Sequence, residues 1–179
     1  PQDTSDPHKI AYLNLSGGEQ LVKVWVSLPN AQPDMNAWND TLIKSFLVCD
    51  ALNGNYTIGF PGSVSDFSSF ADAVDALAQC GIGGPVTFLV MPGAYLEQIR
   101  LDEYPGLSAV NTLTIKSFTG DPEDVVIRYT ASGSSDNYVV RLNGADYVTI
   151  QDMTLKAGQT GTFGNVVELS GGAHFNTIT

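Results

Sequence analysis

The feature that most constrains this chain is a recurrence of short segments rich in β-branched residues in its second half. One series begins at Val86, Leu113, Val148 and Asn176, so that successive starts lie 27, 35 and 28 positions apart. The longest interval contains a polar run, 130–136, which is predicted to bulge out as a loop. Short strands that repeat at a nearly fixed period are typical of a solenoid, in which each strand pairs with its counterpart one coil away.

A second series of strands interleaves with the first. It matches Gln98–Leu101 with Val126–Tyr129 and Val139–Leu142 with Val166–Leu169, at nearly the same spacing as the first series. Each coil is then expected to carry two or three parallel strands, about 4.8 Å from those of the next coil. Val, Ile and Leu side chains on one face of every strand fill the shared interior.

An antiparallel β-sandwich is the competing fold, because its strands can have similar spacing. The tight hairpins of a sandwich favour Asn-Gly and Asp-Gly turns. Such pairs occur in this sequence only at Asn53-Gly54 and Asn143-Gly144. The pattern therefore favours an all-β, parallel β-helix over a sandwich.

One amphipathic helix, at about residues 69–80, is predicted just before the first series. Ser69 is suited to cap its N-terminus, and Asp72 favours the same end. Gly81, followed by Gly83-Gly84-Pro85, is expected to stop it. Such a helix needs a surface to cover and is predicted to close the first coil as a lid. Its apolar residues share one face at helical spacing: Phe67, Phe70, Ala71, Val74, Leu77 and Ala78.

Residues 1–50 are predicted to be a separate β module, and 51–179 the cap and first coils of the β-helix, with a junction near 53–59. Three strands are too few for a self-sufficient sandwich, so we interpret the module as the last strands of an immunoglobulin-like domain. The predicted strands are Ile10–Leu15, Leu21–Leu28 and Thr41–Val48.

The charge of the chain bears on its partners. It carries 8 basic and 19 acidic residues, a formal net charge of −11. This charge opposes binding to nucleic acid and to anionic membranes. No apolar run approaches the roughly 18 residues needed to span a bilayer, so membrane insertion is not expected.

The two cysteines, Cys49 and Cys80, lie 31 positions apart. Without clustered histidines they do not form a zinc site. Two buried free thiols are the expected state, and a disulfide that pins the two modules together is the alternative.

Residues Phe67–Thr179 resemble the opening coils of the pectate-lyase-like right-handed parallel β-helix superfamily. The resemblance rests on the predicted helix, on the Pro-Gly-x-Tyr-x-Glu segment Pro92–Glu97 between two strands, and on Asn111–Ile115. The amino-acid sequence of these segments is most similar to that of the corresponding segments in long secreted proteins of the Bacteroidota. The segment Ser27–Asp34 similarly resembles the end of immunoglobulin-like domains in large bacterial surface proteins.

The resemblance implies an N-terminal capping helix and a secreted or cell-surface location. It does not imply one activity, because this fold carries lyases, hydrolases, esterases, adhesins and inert stalks. Glu97 belongs to the scaffold in this superfamily. The lyases use grouped Asp or Glu residues for Ca²⁺ with an Arg as base, whereas the basic residues here are scattered along the strands: Arg100, Lys116, Arg128 and Arg141.

Two groups of acidic residues are candidates for chemistry. Asp121, Glu123 and Asp124 flank Pro122 and carry the oxygen ligands that Ca²⁺ prefers, although an ordinary solvated turn is the favoured interpretation. The coil register also places Asp146 beside His174, which is either an acid–base couple or a pair bonded within the turns, the latter being favoured.

The same register places Arg141 beside Glu168 on neighbouring coils. This arrangement predicts a cross-strand ion pair that contributes ~0.2–1 kcal/mol.

The sequence therefore predicts a non-catalytic module of a large exported, adhesin-like surface protein that serves extension, display or glycan binding. The alternative is the N-terminal part of a polysaccharide lyase or glycoside hydrolase whose active site lies in later coils. No catalytic, cofactor-binding or metal-binding residue is assigned. The expected partners are polysaccharides and cell-surface or export-machinery proteins. Because the sequence finishes in mid-strand, at 176–179, we expect a fragment or a covered end.

Overall fold

The computed structural model describes residues 17–25, 41–158 and 163–179. The chain divides into two compact units, 1–49 and 50–179. In the first unit, β1 (Gly18–Trp25) pairs antiparallel with β2 (Thr41–Val48), as expected for alternating apolar strands. Nothing in the described part of this unit shows an immunoglobulin-like sandwich. The predicted strand 10–15 lies outside the described residues.

The second unit is a parallel β-solenoid of about four turns with one short helix. Its helix is α1 (Phe70–Cys80). Its strands are β3 (Leu52–Ile58), β4 (Ile82–Val90), β5 (Gly93–Tyr95), β6 (Ile99–Asp102), β7 (Leu113–Ser117), β8 (Val125–Tyr129), β9 (Val140–Asn143), β10 (Val148–Gln151), β11 (Thr154–Ala157), β12 (Val167–Ser170) and β13 (Thr177–Ile178).

These strands form three parallel sheets, one on each side of the coil. The first sheet has the order β13-β10-β7-β4-β3, the second β11-β8-β5 and the third β12-β9-β6. In the first sheet Val86 lies beside Leu113, which lies beside Val148. The first series of repeats read from the sequence is therefore confirmed, and so is the parallel solenoid.

Alternating burial along each strand builds the core. In β7 the residues Leu113, Ile115 and Ser117 point inward and are buried, while Thr114 and Lys116 are half-buried. The interior side chains stack in ladders from coil to coil, as Leu101 and Leu142 do in the third sheet. This stacking removes apolar surface from water, which a single coil cannot do alone.

In the second series, the prediction that 98–101 and 126–129 are counterparts on neighbouring coils is wrong. Strand β6 pairs with β9, so that Ile99 lies beside Val140, whereas β8 pairs with β5 and β11. The segments 98–101 and 126–129 therefore lie on different sides of the coil. The cause is β5, which has only three residues and begins at the glycine of a Pro-Gly pair, so it shows no strand periodicity in the sequence.

The predicted junction near 53–59 is also wrong, because Leu52–Ile58 forms β3 and pairs in parallel with β4. The turn-forming residues Asn53-Gly54 are accommodated by a register shift between Leu52 and Gly54, and Gly54 has a φ of 98°. Similarly, Gly83-Gly84-Pro85 belongs to β4 and not to a turn after the helix.

The helix α1 begins and ends where the sequence predicts. Ser69 caps it, with its side chain accepting a hydrogen bond from the Asp72 amide, and Gly81 follows its last residue with a φ of 70°. The helix packs against β3 and β6, which are the first strands of their sheets. Its buried residues are Phe70, Ala73 and Leu77.

The predicted apolar face of α1 was only partly right. Ala71 and Ala78 are exposed, and Ala73 is buried in their place. A lid over one coil end buries a narrow stripe, so small residues beside the stripe remain in water.

Both cysteines of the chain, Cys49 and Cys80, are disulfide-bonded. The expectation of two free thiols is therefore wrong. Sequence separation does not reveal which cysteine Cα atoms come within bonding reach.

No helix in the described segments is both long and apolar enough to cross a membrane.

The interior ladders predict how strongly single core residues contribute. Leu142 is fully buried in β9, and we expect Leu142→Ala to lower the free energy of unfolding by about 2 to 5 kcal/mol, through lost burial and the cavity left behind. Urea denaturation followed by circular dichroism measures this change.

Leu169 supplies a matched control, because it lies beside Leu142 on the next coil and is 59% exposed. We expect Leu169→Ala to cost less than about 1 kcal/mol. Equal losses for the two variants would contradict the described register and burial.

Candidate functional site

Glu97 binds the N-terminus of the lid helix. Its Oε2 accepts hydrogen bonds from the amides of Phe70, at 3.1 Å, and Ala71, at 3.4 Å. Ser69 Oγ accepts from the Asp72 amide at 3.0 Å, so the first three amides of α1 are all satisfied. Burial raises the pKa of Glu97 above its ordinary value. The position of Glu97 is that of a structural carboxylate.

Tyr95, two residues earlier, also contacts the N-terminal end of the helix. Its hydroxyl donates to the Met91 carbonyl at 2.7 Å, and its ring meets Phe70 edge-on with 5.2 Å between centroids. Burial raises the pKa of Tyr95 to about 12. The Tyr and Glu of the Pro-Gly-x-Tyr-x-Glu segment thus join the first coil to its lid.

The acidic turn around Pro122 is closed by its own hydrogen bonds. Asp121 Oδ1 accepts from the Glu123 amide at 2.9 Å, and Asp124 Oδ2 accepts from the Thr119 hydroxyl at 2.7 Å. Among the described residues, no three His, Cys, Asp or Glu side chains are grouped to hold a metal ion. The arrangement is that of a solvated turn.

Asp146 and His174 lie on adjacent coils, as the register predicts. Asp146 Oδ1 accepts from the backbone amide of His174 at 2.6 Å, while His174 Nδ1 lies 3.8 Å from the same oxygen. The following residues, Tyr147 and Phe175, have positive φ angles, and their rings stack at 4.9 Å. The carboxylate thus bonds the next turn through its backbone and does not hydrogen-bond the imidazole.

Arg141 and Glu168 form the predicted ion pair between β9 and β12. Arg141 Nη2 donates to Glu168 Oε2 at 3.0 Å, and Nε lies 3.0 Å from Oε1. The guanidinium also lies over the Tyr138 ring, 3.8 Å from its centroid. On the preceding coil Arg100 lies beside Arg141 and pairs with Asp102 at 2.9 Å. Both of these arginines on the third sheet therefore have a carboxylate partner.

The second sheet differs. Arg128 of β8 and Lys156 of β11 lie side by side in register, and both are exposed. Within the described residues neither forms a salt bridge. Together they line a groove of about 770 Å³, which we call the basic groove. Its lining is Leu96, Arg128, Tyr129, Thr130, Lys156, Ala157 and Gly158.

Sequence reasoning missed the basic groove because it treated Arg128 as one of several scattered cations. The strand β11 was not recognised, so Lys156 had no place in a coil. The signal was present in the spacing, since Lys156 follows Arg128 by one coil length.

A hydrogen-bonded loop, 130–136, follows the groove residue Tyr129. Asp136 Oδ2 accepts from the Tyr129 hydroxyl at 3.0 Å and from the Ser132 amide at 2.9 Å, and Oδ1 accepts from the Gly133 amide at 2.8 Å. The bond from the Ser132 amide is the main cause that holds the pKa of Asp136 well below its ordinary value. The loop lies in the longest repeat interval, as predicted.

No protein-family model, curated protein or solved structure matches this chain.

The raised pKa of Glu97 predicts a pH dependence. A carboxyl group with a raised folded-state pKa binds its proton more tightly in the folded state, so its contribution is complete below the ordinary value of 4.5 and is lost as pH rises through the folded-state pKa. The free energy of unfolding of the unmodified chain, relative to that of Glu97→Gln, should therefore fall as the pH rises from 4.5 through the folded-state pKa. Urea denaturation from about pH 4 to about pH 8 measures it.

Asp72, at the same helix end, provides a control of opposite sign. The hydroxyl of Ser68 lowers the pKa of Asp72, so the contribution of Asp72 is lost as pH falls. The stability difference between the unmodified chain and Asp72→Asn should therefore shrink on acidification. If the stability differences for Glu97→Gln and Asp72→Asn changed in the same direction with pH, the raised pKa that burial gives Glu97 would be contradicted.

The hydrogen bonds to Asp136 predict how slowly the loop amides exchange with solvent. Asp136→Asn replaces one acceptor oxygen with an NH₂ group, so the amide of Ser132 or Gly133 that faced that oxygen should exchange faster by about tenfold or more. Because the Asp136 pKa is lowered, the protection in the unmodified chain should persist until the pH falls below 3.8. Tyr129→Phe removes a single bond and should have a smaller effect. Unchanged exchange in Asp136→Asn would contradict this bonding.

Proposed function

We propose that this chain is a non-catalytic module of a large exported cell-surface protein, in which it serves extension, display or glycan binding. One observation carries the proposal: the carboxylates singled out in the sequence, Glu123 excepted, are hydrogen-bonded or ion-paired within the scaffold. Glu97 binds the lid helix, Asp121 closes a turn, Asp146 bonds the next coil and Glu168 pairs with Arg141. Carboxylates held in this way are poorly placed to exchange protons with a substrate.

The repeated coil supports a role in extension and display. Each coil adds about 4.8 Å to the stack and presents outward side chains in register with those of its neighbours. A polymer lying along the stack would meet outward-facing side chains at regular intervals. The partners that follow are polysaccharides and other cell-surface or export-machinery proteins.

Export is supported by the disulfide-bonded state of Cys49 and Cys80. Disulfides persist in oxidising compartments and are rare in reducing ones. A secreted or cell-surface location is therefore part of the proposal.

The proposal also includes a relationship to a family of β-helix proteins. We infer a right-handed helix of the pectate-lyase-like kind from surface proteins of the Bacteroidota, preceded by the end of an immunoglobulin-like domain. The lid helix and the roles of Tyr95 and Glu97 in seating it support the first part. The strong right-handed preference of parallel crossovers supports the handedness. The antiparallel pair β1 and β2 is compatible with the second part.

The competing function, a polysaccharide lyase or glycoside hydrolase, differs in a measurable product. We expect no unsaturated products and no new reducing ends when the full-length protein that contains this chain is incubated with polygalacturonate, alginate or neutral polysaccharides. A mock purification from cells that lack the protein controls for contaminating enzymes. Products released by the protein and absent from the mock preparation would overturn the non-catalytic assignment.

A further inference from the structure

We propose that the basic groove binds an anionic glycan, with Arg128 and Lys156 contacting carboxylate or sulfate groups on the sugar chain. This inference deepens the proposed function and rests on it. Three observations carry it: a charge arrangement that the fold leaves uncompensated in the described residues, a concave surface of suitable size, and a side-chain lining that suits sugar.

The charge arrangement is unfavourable for the scaffold alone. Like charges side by side on neighbouring strands destabilise a sheet, yet Arg128 and Lys156 occupy such positions. The third sheet has the same juxtaposition in Arg100 and Arg141, but there Asp102 and Glu168 balance the two cations. The chain has 19 acidic and only 8 basic residues. An adjacent pair of cations without acidic partners in the described residues points to an external anion.

The groove is large enough to hold a short sugar chain. Its volume of about 770 Å³ falls within the range of ligand sites. A glycine at 158 is required at one end, since a Cβ there would clash with Thr130 Oγ1 and lie 2.8 Å from Thr130 Cα. The Gly158 amide donates to the Tyr129 carbonyl at 2.7 Å, which holds the two coils close at that point.

The lining combines three kinds of group. Leu96 is 68% exposed and presents an apolar surface, as the C–H face of a sugar requires. Thr130 is exposed at the same groove and supplies a hydroxyl group. Arg128 supplies a planar guanidinium, which binds a carboxylate or sulfate through two parallel hydrogen bonds. Lys156 adds a second positive charge one coil away.

The charge balance also favours a glycan over nucleic acid. Duplex DNA carries one negative charge per about 1.7 Å, so a chain of net charge −11 repels it along its whole length. A glycan with one anionic group per sugar unit has a lower charge density. Two local cations can then outweigh the repulsion.

The test is binding of residues 1–179 to fluorescently labelled oligosaccharides, measured by anisotropy. The probes are oligogalacturonate, which carries carboxylates and no sulfates, a κ-carrageenan oligosaccharide, which carries sulfates and no carboxylates, and a neutral maltooligosaccharide. We expect binding to at least one anionic probe and none to the neutral one. The tighter anionic probe identifies carboxylate or sulfate as the natural group.

Variants locate the site. Arg128→Ala and Lys156→Ala should each weaken binding about tenfold, and the double variant should abolish it. Arg128→Lys should retain part of the affinity. Both side chains are exposed, so circular dichroism should be unchanged. Arg100→Ala is the matched control, because it removes one exposed positive charge from another sheet and should change affinity less than about twofold.

Salt dependence gives an independent measurement. Two ionic contacts predict that affinity falls as the salt concentration rises, and that this fall is smaller in each single variant than in the unmodified chain. The inference is overturned by an equal loss with Arg100→Ala, by tighter binding of duplex DNA, or by no binding of either anionic probe. These outcomes leave the non-catalytic assignment intact, whereas product release in the assay above would overturn that assignment whatever the affinity.

Discussion

The second unit depends on one interaction, the parallel pairing of each strand with its counterpart in the next coil. The pairing satisfies backbone hydrogen bonds along three sheets and places alternate side chains in a shared interior. Leu113, Ile115 and Ile150 are almost completely buried only because neighbouring coils supply the contacts. Stability is therefore a property of the stack, and α1 contributes by covering apolar side chains where the first coil has no preceding neighbour.

The same pairing decides which polar residues meet. Residues one coil apart become neighbours, so Arg141 meets Glu168, and Asp146 meets the backbone of His174. The scaffold uses these carboxylates for its own hydrogen bonds. The second sheet brings together two cations, Arg128 and Lys156, without acidic partners in the described residues. The arginines of the third sheet have carboxylate partners and the two cations of the second sheet do not. On this difference we base the proposal that the second sheet binds an anion.

Much of the fold was accessible from the sequence because strand and helix periodicities are local. The lid helix was predicted within a residue, since the Ser69 cap and the Gly81 stop are local signals. Four strands of the first sheet, β4, β7, β10 and β13, were predicted in register because they recur at nearly fixed spacing, whereas β3 was predicted as a junction. The second sheet was not, because β5 has three residues and carries almost no pattern. The basic groove was missed with it, since recognising Lys156 as a neighbour of Arg128 requires the strand β11.

The sequence by itself determined the parallel coil, the position of the helix and the two polar pairs, because each rests on spacing along the chain. The tertiary structure alone decided that a coil has three sides, that 98–101 and 126–129 face different directions, and that both cysteines are disulfide-bonded. It also decided which cations are balanced. These properties depend on distances between segments remote in sequence, which composition and periodicity do not record.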